Sequence, residues 1–234
     1  MTDVQPQSSD DARWPVACLL YLFAPEVLPP VHFSLGQLFS AHHEVAPVCG
    51  HERVALGPLE AYLFAWTFRQ LDLDGAITLR HDPSVPRSRD TDWLGLDMLV
   101  TRTTDAIERC SVLEEQLLRV CPTEPTLVSK VIVLWGKEQG LDVQRLVFLP
   151  LDAIIDAVHE DACVAFGIEP TVPRQSNIPC DSVGALHPLF LETEREWRRF
   201  AQDNHAAADA LVRCCDAGLA QLRPPKYAAG MGGI

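Results

Sequence analysis

Apolar residues recur along most of the chain at the three- and four-residue spacing of helices, most continuously between positions 58 and 75. Pro58 suits the first turn of a helix, Glu60 suits its positive N-terminal end, and Gly75 suits the residue just past its C-terminus. Between them lie two apolar rows, one of Leu59, Leu63, Trp66 and Leu73 and one of Phe64, Phe68 and Leu71. A helix that is apolar on two faces is buried. We therefore expect Trp66 in the core; the alternative is a docking face, on which Trp66 would be exposed.

Strand patterns are short and follow this helix. Residues 76–80 and 96–102 read as strands, and the loop 82–92 between them holds two prolines and charges of both signs. The order helix, helix, strand, loop, strand is that of a winged-helix unit. Further helices are predicted over 14–23, where a strand is the alternative, and over 105–120, 126–139 and 150–166. The predicted fold class is mainly α with one or two short β-hairpins, a winged-helix-like N-terminal unit and a long C-terminal helix.

An internal repeat raises the question of duplication. Pro58-Leu59-Glu60-Ala61 is matched by Pro150-Leu151-Asp152-Ala153, and Gly75 and Gly167 each lie 17 positions after the proline. Two interpretations stay open. Either the winged-helix-like unit is duplicated, or two separate helices of similar length begin at a proline and end at a glycine.

Prolines and polar stretches set the predicted boundaries. Residues 169–185 contain three prolines and read as a linker, while 186–222 read as one long helix with an intermittent apolar stripe. The predicted organisation is a disordered tail over 1–12, a winged-helix-like unit over 13–103, a second helical unit over 104–168 packed on the first, a Pro-rich linker over 169–185, a long C-terminal helix over 186–222 and a flexible tail over 223–234.

The net charge of the chain limits the kinds of partner that it is expected to bind. The chain has 32 Asp and Glu against 19 Lys and Arg, a formal net charge of −13, which repels phosphate backbones. The candidate recognition helix 58–75 has Arg69 as its single base, so we expect no nucleic-acid partner. The same excess disfavours an anionic membrane surface, and no apolar run reaches the roughly 20 residues that span a bilayer. We therefore expect no membrane partner.

Cysteine usage points to a reducing compartment. None of the eight cysteines forms a C-x-x-C pair, which excludes zinc ribbons and thioredoxin-like motifs. Most lie in apolar stretches, where a thiol behaves as a small hydrophobe. Asp10 and Asp11, rather than basic residues, precede the first apolar segment, so no secretory signal is expected. We predict a cytoplasmic protein with free, mostly buried cysteines.

One short segment contains several side chains of the types that bind metals in proteins. His42, His43, Cys49 and His51 lie within ten residues of a predicted loop, and imidazole with thiolate suits Zn²⁺. His42 and His43 are adjacent and cannot easily ligate the same ion, so a fourth ligand would have to come from elsewhere. The alternative interpretation is surface histidines beside one buried cysteine.

A second candidate pair lies in the helix predicted over 150–166. His159 and Cys163 are four residues apart and share a face, and a Cys–His pair can form an activated thiolate. The alternative is a buried thiol beside an exposed histidine. The sequence contains no phosphate-binding loop, dinucleotide fingerprint or nucleophile elbow, and we assign no catalytic residue and no bound cofactor beyond the zinc hypothesis.

The stretch LFAWTFRQLDLDGAITL, residues 63–79, resembles the helical family of Golgi phosphoprotein-3-like lipid-binding proteins. The resemblance covers this helix and the following strand and includes no diagnostic motif. It is not counted as membership of that family, and no binding residues are carried over from it.

Together these features predict a cytoplasmic protein-interaction or regulatory module without catalytic activity. Its partner is expected to be another protein or a second copy of the chain, with a homodimer formed through the long C-terminal helix around Trp197 and Leu211. Two alternatives remain open. One is a small metalloprotein or metal-dependent enzyme that uses His42 or His43, Cys49 and His51, and the other is a transcriptional regulator.

Overall fold

The computed structural model of the protein describes residues 14–28, 44–45, 54–84, 98–104, 111–140, 149–166 and 183–222. These residues are mainly helical, with a small three-stranded antiparallel sheet. The helices are α1 (Val16–Leu22), α2 (Ala24–Val27), α3 (Leu56–Leu73), α4 (Val112–Val120), α5 (Val128–Glu138), α6 (Leu149–Ala165), α7 (His187–Asp203) and α8 (His205–Leu222). The strands are β1 (Glu44–Val45), β2 (Val54–Ala55), β3 (Ile77–His81), β4 (Met98–Arg102) and β5 (Thr126–Leu127).

Helix α3 occupies the middle of the core, as its two apolar rows predict. It packs against α1, α6 and α8, and every residue of α1 is buried. Trp66 is only 2% exposed, so the prediction that it lies in the core is confirmed. Leu73 departs from the prediction because it lies in the last turn of α3, beyond the packed neighbours, and is 49% exposed.

A left-handed turn joins α3 to the sheet. Gly75 has φ +71°, a conformation that favours glycine, and the chain then enters β3. The Asp72 carboxylate accepts a hydrogen bond from the Leu79 backbone N–H at 3.0 Å, which fixes the end of α3 against the strand. Strands β3 and β4 pair in register from Ile77 opposite Arg102, and β5 adds to the free edge of β4 through Leu99 and Leu127.

The close approach of α5 and α8 depends on glycine. A Cβ atom at Gly218 would lie 2.7 Å from the Ser129 carbonyl oxygen and 2.8 Å from Ile132 Cβ. A Cβ atom at Gly136 would meet only the end of the Leu222 side chain. Helix α8 therefore lies directly against the backbone of α5, and it belongs to the core of the described chain.

Three predicted helices have different bounds in the structure. The segment predicted as one helix over 186–222 is two helices, because Asn204 leaves the helical region at φ −135° and ψ 50°. The segment predicted as a helix over 126–139 begins with β5, which is held by pairing to β4 rather than by a local pattern. In the described part of 105–120 the helix begins after Ser111, whose hydroxyl and the Glu114 carboxylate form a reciprocal capping box.

The cysteines of the described chain form no disulfide bonds with one another. Cys18, Cys121, Cys163, Cys214 and Cys215 are all buried. This agrees with the prediction for these five positions. Within the described ranges no helix combines the length and apolar character needed to cross a bilayer.

Candidate functional site

A groove of about 180 Å³ lies between α3 and α7. One wall comes from the second half of α3, the other from the second half of α7, and Val16 of α1 and Asn204 border it. The aromatic, basic and apolar side chains of the two walls include Trp66, Arg69, Leu73, Trp197, Arg199 and Phe200.

Stacked aromatic rings form the inner part of the groove. Trp66 and Trp197 stack with their ring centroids 5.7 Å apart and their planes at 28°. Phe200 lies three residues after Trp197, so both rings project from the same face of α7, with centroids 5.8 Å apart. Tyr62 meets the edge of Trp197 at 6.5 Å. Trp197 and Phe200 are only partly buried and offer ring surface to the groove.

Two arginines line the same groove in different electrostatic settings. The Arg69 guanidinium lies over the Phe200 ring at 4.5 Å from its centroid and forms an ion pair with Asp72, so its charge is already matched. Arg199 is exposed and forms no ion pair with any residue that the structure describes. Two carboxylates, Glu196 and Asp203, also border the groove.

The indole of Trp66 carries a buried polar atom without a partner. Its Nε1 is inaccessible to solvent, and no acceptor for it lies among the described residues. Leaving a buried donor unsatisfied costs about 1–3 kcal/mol. By contrast, the Trp135 indole donates to Gln116 Oε1 at 2.9 Å. The described chain thus leaves this donor unused, and because Nε1 is inaccessible to solvent it lies behind the surface of the groove.

The His159–Cys163 pair lies elsewhere, in the core between α1 and α6. Cys163 Sγ is 3.4 Å from His159 Nε2, which confirms that the two side chains share a face. His159 is 1% exposed, so the alternative with an exposed histidine is wrong. Burial lowers the pKa of His159 and raises the pKa of Cys163. Both shifts favour the neutral imidazole and thiol over the thiolate that nucleophilic catalysis uses.

Asp161, next to this pair, gives the fold a dependence on pH. Its carboxylate accepts the Val112 N–H at the start of α4 at 3.0 Å, and burial raises its pKa to about 6. Between about pH 4 and pH 6 the folded protein therefore holds a proton that the unfolded chain has lost, and the free energy of unfolding falls as pH rises through this window.

Asp161→Asn keeps an acceptor oxygen for Val112 and removes the buried charge. As the pH rises from 4 to 7, the parent protein loses stability through Asp161 and the variant does not. The difference between their free energies of unfolding should therefore grow by about 1–2 kcal/mol in favour of the variant, allowing for partial solvent screening. Urea denaturation at both pH values measures the gain, and Glu192→Gln, exposed on α7 and not among the charges that raise the pKa of Asp161, is the control. A difference between variant and parent that does not change with pH would contradict the assignment.

The metal-binding prediction falls on His42, His43, Cys49 and His51, all of which lie outside the described residues. Among the described residues no three His, Cys, Asp or Glu side chains converge as a metal site would require. The zinc hypothesis stays a prediction, and elemental analysis of protein purified without a histidine tag tests it.

No family model, no curated protein and no solved structure matches this chain. A function for it has to be argued from the geometry of the groove. The sequence pattern assigned Trp66 to the core and Trp197 to a dimer interface, and nothing in it indicated that the two rings stack. The signal in the sequence is the pair Trp197 and Phe200, three residues apart in the mostly polar second half of α7.

Proposed function

We propose that the protein is a cytoplasmic regulatory or protein-interaction module without catalytic activity, and that it works by binding a ligand in the α3–α7 groove. The observation that carries this proposal is an open groove of about 180 Å³ between the two helices, with the partly exposed rings of Trp197 and Phe200 in its wall. A bound ligand with an apolar ring would cover the exposed parts of Trp197 and Phe200.

The chemistry of the groove favours binding over turnover. Among the residues that the structure describes, its walls contain no histidine, cysteine, serine or lysine, and their candidate bases are the carboxylates of Glu196 and Asp203. The Thr193 hydroxyl, which borders the groove, donates to the Leu189 carbonyl oxygen of its own helix at 3.0 Å. The buried His159–Cys163 pair is not part of the groove.

Helix α7 is the element whose position would respond to a ligand in the groove. Phe190 is its single buried residue, and its first turn is attached to the core through the stack of Phe190 on Phe23 at 4.7 Å and the contact of His187 with Glu26 at 3.1 Å. A ligand in the groove would add to the contacts that Trp197 and Phe200 already make with α3 near the other end of α7. Occupancy would then alter how firmly α7 is held.

The expected homodimer remains a proposal, and the structure limits where it can form. Leu211 lies on α8 and is fully buried within the chain, so it offers no surface to a second copy. Leu189 and Leu191 on α7 are 42% and 39% exposed, so a contact through the C-terminal segment would use α7.

The finer description of the N-terminal half is also a proposal. The order α3, β3, β4 supports a winged-helix-like unit, although β5, the third strand of the sheet, follows α4 in the chain. A duplication is supported by the lengths of α3 and α6, 18 and 17 residues. A transcriptional regulator is supported less well, because α3 is buried in the core and is not free to enter a DNA groove.

A screen of ring-bearing fragments against the full chain tests the function. The set should contain acids, amines and neutral compounds, detected by ligand-observed NMR and mapped by hydrogen exchange. We expect hits that slow amide exchange in α3 and α7 and that are lost in Trp197→Ala but kept in Leu189→Ala, an exposed change on the same helix. Hits that protect only other elements, or turnover of any compound by the protein, would contradict the proposal.

A further inference from the structure

We infer that two copies of this chain pair through antiparallel α7 helices, so that Leu189 of each copy lies at the α3–α7 groove of the other. This inference rests on the proposed function, because it names the partner of the same site. Leu189 is 42% exposed. Four side chains at spacings of four, three and four residues share its side of the helix: Leu189, Thr193, Glu196 and Phe200. The last three border the groove, and Leu189 continues their row toward the start of α7.

The exposed side of α7 has a balanced set of charges. The exposed charged residues at helical spacing are Glu192, Arg195, Glu196 and Arg199. None of the four forms an ion pair with any residue that the structure describes. Two acids and two bases leave this stripe without net charge, on a chain whose formal net charge is −13. Copies of so acidic a chain repel one another, so a contact between two copies is favoured where the charge is balanced.

The order of these four charges is self-complementary in an antiparallel pair. In a twofold-symmetric contact, residue i meets residue j and residue j meets residue i. When the twofold axis passes midway between positions 195 and 196, Glu192 of one copy lies opposite Arg199 of the other. Arg195 lies opposite Glu196 in the same way. A parallel pair would instead bring each charge level with its own equivalent, which is repulsive.

The same register brings Leu189 to the groove of the other copy. Leu189 lies level with Gln202, two residues or about 3 Å along the helix axis from Phe200. The twofold axis keeps the groove-bordering rows of both helices on the same side, so Leu189 approaches the partly exposed Phe200 ring. Exposed ion pairs add little affinity but help to select partner and register. The contact between leucine and ring therefore supplies attraction, and the charges set the alignment.

Sedimentation velocity of the full chain over a range of concentrations tests the inference. One helix from each copy makes a small interface, so we expect a reversible dimer with a Kd of roughly 1–100 µM that weakens at high salt. Leu189→Ala should weaken the dimer about tenfold. Leu191→Ala is the matched control, because Leu191 is 39% exposed on the same helix but lies off the groove-bordering row, and it should change the Kd less.

Charge reversal tests the register. Glu192→Arg places two arginines opposite each other, and Arg199→Glu places two glutamates opposite each other, so neither variant should dimerise alone. A mixture of the two restores opposite charges at both positions and should form a heterodimer. Glu138→Arg, the same charge change at an exposed position of α5, should dimerise like the parent protein. Circular dichroism and melting temperatures show that each variant is folded.

The contrary outcomes separate this inference from the proposed function. A parent chain that stays monomeric up to about 0.5 mM overturns the inference. It is also overturned if both charge-reversal variants dimerise alone as the parent does, or if they fail to associate when mixed. If the monomeric chain still binds fragments in the groove, the occupant is a small molecule and the proposed function stands. If it binds none, both fail.

Discussion

Trp66→Ala is expected to lower the free energy of unfolding by about 3–5 kcal/mol, enough to unfold a domain of ordinary stability. Trp66 is 2% exposed, so its removal leaves a large cavity between α3 and α7. It also removes the ring on which Trp197 stacks. Urea denaturation or thermal unfolding followed by circular dichroism measures the loss.

Two further changes serve as controls for this prediction. Trp66→Phe keeps most of the ring and deletes the unsatisfied N–H, so it should cost much less than the alanine variant. Leu73→Ala, on the same helix and bordering the same groove, should cost under about 1 kcal/mol because Leu73 is half exposed. An unchanged melting temperature in Trp66→Ala would show that this ring belongs to an interface and not to the core.

Gly218→Val is expected to cost about 3 kcal/mol through overpacking between α5 and α8. Its Cβ would lie 2.7 Å from the Ser129 carbonyl oxygen, a backbone atom that cannot rotate away. Gly136→Ala should cost less, since an added Cβ there meets only the flexible end of Leu222. Denaturant unfolding of both variants measures the difference.

Gly184→Val is the reference for this second prediction, because a Cβ at Gly184 has nothing within 4 Å. Its free energy of unfolding should stay close to that of the parent protein. If Gly218→Val were as stable as Gly184→Val, helix α8 would not lie against α5. The C-terminal segment would then be free to act as the separate dimerisation helix that the sequence suggested.

The sequence predicts an element of secondary structure best when the residues that determine its length and burial lie within that element. Pro58, Gly75 and the two apolar rows predicted a buried helix over 58–75, and α3 spans Leu56–Leu73 with Trp66 in the core. These signals are local. The periodicity reports burial, and a proline in the first turn and a glycine past the end limit the length of the helix.

The remaining features depend on contacts between distant residues. Trp66 and Trp197 lie on different helices far apart in the chain, and their stacking depends on how α7 packs against α3. Strand β5 exists because β4 offers it a free edge. Periodicity shows which face of a helix is apolar but not which helix it meets, so the groove could not be predicted from the sequence.

The most direct test of the groove as a binding site is an NMR titration of the ¹⁵N-labelled full chain with the hits of the fragment screen, followed at the side-chain indole N–H resonances of its five tryptophans. The Trp197 signal is assigned by its absence from the Trp197→Phe spectrum. We predict that this signal shifts as the ligand binds, because Trp197 lines the groove and is only partly buried, while Trp135, already bonded to Gln116, stays unchanged. A Trp197 resonance that does not move at saturating ligand would contradict the assignment of this groove as a binding site.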